Sequence, residues 1–147
     1  MNNYHNGLNI LLVDDCEDDI MMAQKVFAQL SFPHKLETAQ SAQAALDYLQ
    51  CRGKYADRKP VLPDILLLDI NMPLVNGFAL LKILKADQLL KKIPVIMLTS
   101  SCTREDVSRS YEYGAASYLT KPENFEGFKN LMSDFGKYWL TVAALPQ

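Results

Sequence analysis

The chain has 147 residues, with 15 Lys plus Arg against 17 Asp plus Glu, a formal net charge of -2 and 49% hydrophobic residues. A chain of about 150 residues buries roughly 70% of its unfolded surface, which suits one domain with its own core and excludes a disordered chain. The balanced charge and scattered basic residues exclude the clustered basic face with which a nucleic-acid binder meets phosphate.

Met1 to Gly7 is polar and reads as a flexible tail without the basic start of an export signal. The first strand is Leu8 to Val13, whose continuous Ile10-Leu11-Leu12-Val13 suggests a strand covered on both faces. That run stops at Asp14, far short of the roughly 18 apolar residues a membrane span needs. A cytoplasmic protein without a membrane partner is expected. Ile20, Ala23, Phe27 and Leu30 then share one helix face.

A weaker strand over Lys35 to Thr38 precedes a short helix of Ala42, Ala45, Leu46 and Leu49, opened by Ser41 as cap. Residues 51–63 hold Gly53, Pro60, Pro63 and four basic side chains and read as an extended, exposed loop. Ile65 to Leu68 is the second continuous strand, and Phe78 to Lys92 has helical periodicity that ends before Pro94. Val95 to Leu98 gives a fourth strand. Thr103-Arg104-Glu105-Asp106 has the form of a capping box, Gly114 suits the left-handed end of the helix it opens, and Ser117 to Leu119 gives the last strand.

A long helix over 124–142 closes the chain, with Phe125, Phe128, Met132, Phe135 and Trp139 as its apolar stripe. A second stripe, Leu131, Tyr138, Val142 and Leu145, is either terminal packing or an exposed patch for a partner. Cys16, Cys51 and Cys102 form no Cys-x-x-Cys pair and read as reduced thiols. Five strands alternating with five helices predict right-handed crossovers and one doubly wound α/β domain over 1–147.

In such sheets ligands bind outside the carboxyl ends of the strands. The residues there are Asp14-Asp15, Asp69, Thr99-Ser100-Ser101 and Thr120-Lys121-Pro122. Singly, Asp14-Asp15 reads equally well as a helix cap and Asp69 as a turn residue. Gathered on one edge, three carboxylates repel each other unless a cation sits among them, and oxygen donors favour Mg²⁺. Lys121 offers a point charge to a phosphate-like anion and Thr99 a hydroxyl donor. A carboxylate in that company can serve as nucleophile toward phosphorus.

Val13-Asp14-Asp15, Leu68-Asp69-Ile70-Asn71-Met72-Pro73 with Asn76-Gly77, Leu98-Thr99-Ser100 and Tyr118-Leu119-Thr120-Lys121-Pro122 together resemble the receiver domains of two-component response regulators, over essentially the whole chain. The resemblance implies a flavodoxin-like (βα)5 three-layer sandwich with strand order 2-1-3-4-5. It implies that Asp69 is the phosphoacceptor and that Asp15, Asp69 and the Asn71 carbonyl bind Mg²⁺, with Asp14 assisting through water. Lys121 would contact the phosphoryl group, Thr99 would sense it, and Tyr118 would follow Thr99 inward as the aromatic switch. Asn71 and Ser101 would flank the path of an attacking water.

The same resemblance implies a switch rather than an enzyme, one that assists only its own phosphotransfer and autodephosphorylation. Its partners would be a sensor histidine kinase and a downstream protein, with homodimerisation through the fourth helix, fifth strand and fifth helix as a family habit. The long loop, Tyr111 and the ending Tyr138-Trp139-Leu140 with Leu145-Pro146 resemble single-domain regulators that pair with cyanobacterial-type bacterial phytochromes. With no output domain in the sequence, the signal would leave by protein contact or phosphorelay.

Other readings fit less well. An aspartate-nucleophile phosphatase needs a second aspartate where Asn71 stands. A flavin or nucleotide binder needs a phosphate-wrapping loop where Asp14-Asp15-Cys16-Glu17-Asp18-Asp19 would repel phosphate. A scaffold that works without phosphorylation stays open as an additional role.

Overall fold

The computed structural model describes residues 7–146. Its strands are β1 (Leu8–Val13), β2 (His34–Ala39), β3 (Ile65–Leu68), β4 (Val95–Thr99) and β5 (Ser117–Thr120). Its helices are α1 (Glu17–Ala28), α2 (Ala42–Leu49), α3 (Gly77–Ala86), α4 (Arg104–Glu112) and α5 (Phe125–Lys137). All strand pairs are parallel and the sheet order is β2-β1-β3-β4-β5, the expected flavodoxin-like arrangement. The tail expected over 1–7 lies outside the described residues except for Gly7, which is buried, so ordered chain starts no later than there.

The continuous apolar runs divide between two cores because successive side chains of a strand point to opposite faces. Leu11, Val13, Leu66, Leu68, Val95 and Met97 pack with Ala45, Leu49, Leu80, Leu81 and Leu84, so α2 and α3 cover one face. Leu8, Ile10, Leu12, Ile65, Leu67, Ile96 and Leu98 pack with Phe27, Phe128 and Met132, so α1 and α5 cover the other.

The caps follow the sequence. Ser41 and Thr103 accept from Ala44 N and Asp106 N, at 3.0 and 3.2 Å. The capping box is half made, because the Asp106 carboxylate takes the Ser101 hydroxyl at 2.5 Å. Gly114 adopts φ +103 after α4, as a left-handed cap requires.

Strands β2, β4 and β5 run one residue further than expected at their carboxyl ends, β2 also at its start, and two helices and the 51–63 loop differ more. The helix expected over Phe78 to Lys92 stops at Ala86, because the Asp87 carboxylate accepts from Leu89 N at 2.8 Å and Leu90 N at 3.0 Å and starts a separate 3₁₀ turn, Leu90–Lys92. The expected 124–142 helix is α-helical only to Lys137. Tyr138–Val142 widens to a π turn, in which the Thr141 hydroxyl donates to the Lys137 carbonyl and Ala143 N reaches Tyr138 O at 2.8 Å. Within 51–63, Gly53–Tyr55 forms a 3₁₀ turn, and Arg58 pins the loop by donating to Tyr48 O at 2.6 Å and Val61 O at 3.0 Å while stacking 3.8 Å over the Tyr48 ring.

Candidate functional site

Each residue at the carboxyl edge is held by the strand beside its own. Asp14 N donates to Ala39 O at 3.0 Å, Asp69 N to Val13 O at 3.0 Å, and Lys121 N to Thr99 O at 2.8 Å. The ladder therefore continues one residue past the strands. Side chains far apart in sequence thereby acquire fixed positions on one edge.

The loop after β3 depends on Gly77. A Cβ there would stand 2.2 Å from the Asp69 carbonyl and 2.8 Å from the Ile70 Cα, both backbone atoms. Gly77 N donates to Ile70 O at 2.8 Å, and Asn76 caps α3 through Ala79 N at 3.0 Å. The start of α3 is thus drawn against the acceptor loop. No larger residue allows that approach.

Asp14, Asp15 and Asp69 each offer an oxygen, and these atoms lie within 4.8 Å of one another. Asp14 is 1% exposed and Asp69 8%, while Asp15 faces solvent. Hard oxygen donors at that spacing, open on one side, fit a small divalent cation such as Mg²⁺. Burial, and next the charge of Asp14, push the Asp69 carboxyl above its ordinary value. Lys121, the Thr99 hydroxyl and the Asn71 backbone amide oppose that rise.

Lys121 follows β5 directly, its side chain only 9% exposed, and its Nζ lies 2.9 Å from Asp14 Oδ2 and 3.0 Å from Asp19 Oδ2. Burial lowers the pKa of this ammonium, but the two carboxylates more than offset it, leaving Lys121 above its ordinary value. In the sequence Asp19 is only one member of the acidic run Asp14 to Asp19. Its place three residues into α1 puts its carboxylate over Lys121.

Thr99 is fully buried, and its Oγ1 accepts from Ser101 N at 3.4 Å. The Tyr118 hydroxyl donates to the Ser101 carbonyl at 2.5 Å, and burial raises its pKa. Through its hydroxyl, Ser101 donates to the Asp106 carboxylate. It links Thr99, Tyr118 and the first turn of α4, a role invisible to sequence because every bond but one uses its backbone.

The family model for the response regulator receiver domain matches residues 10–132. The chain belongs to the response regulator receiver family. This receiver domain is 36% identical over 131 residues to the probable methanogenesis regulatory protein FilR2 of Methanothrix harundinacea, covering 89% of this chain and 83% of that one. It is 34% identical over 137 residues to response regulator Rcp1 of Synechocystis, covering 93% and 92%. The structure of the Mn²⁺-bound form of Rcp1 superposes with a TM-score of 0.83, at 34% identity over 95% of this chain and 99% of that one. The phosphorylated cyanobacterial phytochrome response regulator RcpA gives a TM-score of 0.85 at 33% identity, covering 96% and 99%. The receiver is therefore close to the phytochrome response regulators Rcp1 and RcpA. Among its described residues no helix is long and apolar enough to cross a membrane.

Proposed function

We propose that this receiver is a phosphorylation switch in which a sensor histidine kinase passes a phosphoryl group to Asp69. The observation that carries the reading is the convergence of Asp69 with Asp14, Asp15, Thr99 and Lys121 on one edge. An Asp69 oxygen attacks phosphorus, an O–P bond forms as the N–P bond of the kinase phosphohistidine breaks, and the electron pair leaves with the imidazole. Mg²⁺, held by Asp15, Asp69 and the Asn71 carbonyl with Asp14 assisting, would supply positive charge to the carboxylates and the transferring group. Lys121 and Thr99 favour the ionised Asp69 against burial and the Asp14 charge, and both can then contact phosphoryl oxygens.

Movement of Thr99 toward the phosphoryl group draws on Ser101 N, and the Ser101 carbonyl carries the Tyr118 hydroxyl. The charge on Asp69 thus reaches the surface between α4 and β5 through two hydrogen bonds. Similarity to Rcp1 and RcpA supports a phytochrome-type kinase, a cytoplasmic setting and a downstream protein as recipient of the signal. The signal then leaves by phosphorylation-dependent protein contact or phosphorelay, with homodimerisation through α4, β5 and α5 as a further contact.

Asp69→Asn should abolish uptake of acid-labile phosphate from a cognate kinase or a small phosphodonor. Labelling that survives the substitution sinks the assignment. Phosphotransfer profiling against the histidine kinases of the host should rank a phytochrome-type kinase fastest.

A further inference from the structure

We propose that Asp19 is a positioning residue for Lys121, its carboxylate competing with an anion on Asp69 for the Lys121 ammonium. The inference rests on Asp69 being the phosphoacceptor.

Lys121 Nζ stands 2.9 Å from Asp14 and 3.0 Å from Asp19, and its side chain is only 9% exposed, so its partners are limited to what the fold provides. The two carboxylates differ. Asp14 is buried and belongs to the group of three oxygens that fits a cation, so a bound cation shares its charge. Asp19 lies outside that group and keeps its full charge for the ammonium. Any phosphoryl oxygen on Asp69 must therefore draw Lys121 chiefly from Asp19.

Release is inexpensive on the Asp19 side. Its side chain is 39% exposed, so water rehydrates the carboxylate when the ammonium leaves, whereas Asp14 with a 2% exposed side chain would be stranded. Asp19 sits in the first turn of α1, where the positive end of the helix dipole further stabilises the freed charge. The result is a weak clamp that holds Lys121 in the unmodified protein and yields to a stronger anion.

Beryllofluoride, which binds an aspartate as a phosphoryl mimic, provides the test at saturating Mg²⁺, with binding followed by isothermal titration calorimetry. Asp19→Asn keeps the shape and removes the charge, and it should tighten beryllofluoride binding about twofold to fivefold, the range expected for a partly exposed ion pair. In a Lys121→Met background the Asp19→Asn effect should vanish. The same gain in both backgrounds would show a general charge effect and overturn the proposal, as would unchanged or weaker binding in Asp19→Asn alone.

Hydrogen exchange of the Lys121 ammonium, followed by NMR without beryllofluoride, gives a second readout that needs no Lys121 variant. Exchange should quicken in Asp19→Asn and slow again in Asp19→Glu; unchanged exchange overturns the proposal. Failure of the wild-type chain to bind beryllofluoride overturns the phosphoacceptor reading and the competition with it. A wild-type chain that binds while Asp19→Asn binds identically overturns the competition alone.

Discussion

Asp69 is held between opposing effects. Burial and the Asp14 charge raise its pKa above the ordinary 3.8, and Lys121, Thr99 and the Asn71 amide only partly offset them. A carboxyl whose folded pKa is raised favours folding fully below its unfolded value, and that contribution is lost as pH rises through the folded value. Without divalent ions, Asp69→Asn should therefore melt higher than wild type at pH 7, and the gap should close as pH falls toward 3.8. Each 1 kcal/mol relieved corresponds to about 2–4 °C in a chain of this size. Added Mg²⁺ should raise only the wild-type melting temperature, and thermal melts across pH with and without the ion check both statements.

At the scale of elements, the two ends of α3 do different work. At its start, Gly77→Ala would press a methyl group into the Asp69 carbonyl, where neither side can yield without moving backbone. A loss of about 1–3 kcal/mol is expected by urea denaturation, together with weaker Mg²⁺ binding, because the displaced loop carries Asp69. Just past its end, Asp87 accepts two backbone amides, which lower its pKa. A depressed folded pKa gives stability that is present above the unfolded 3.8 and lost as pH falls through the folded value. Asp87→Ala should lower the melting temperature at pH 7, with the difference disappearing in acid melts below that folded value.

The whole molecule separates stability from chemistry. Both cores lie on the faces of the sheet, while the carboxylates, Thr99 and Lys121 gather along one edge. Phe128, 1% exposed, belongs to the core between the sheet and α1 and α5, and its side chain is not among those that form the acidic cluster. Phe128→Ala should cost about 3–5 kcal/mol with little change in the denaturant slope. Mg²⁺ affinity of the remaining folded protein, measured by titration, should stay at the wild-type value.

Sequence alone determined the order and type of the elements, because continuous apolar runs and helical spacing are local signals. The runs Leu8 to Val13 and Ile65 to Leu68 match β1 and β3 at both ends. It also showed which residues follow the strands, and parallel register then brought Asp14, Asp69, Thr99 and Lys121 to one edge. Boundaries decided by side-chain hydrogen bonds were hidden: the Asp87 turn ended α3 early, and the π turn at Tyr138–Val142 relaxed the last helix. Only the tertiary structure decided that Lys121 rests between Asp14 and Asp19, two carboxylates 107 and 102 positions away from it. That pairing depends on where α1 begins relative to the end of β5, and no spacing within the chain records it. The net charge of -2 therefore conceals both the cluster that calls for a cation and the carboxylate that holds the lysine beside it.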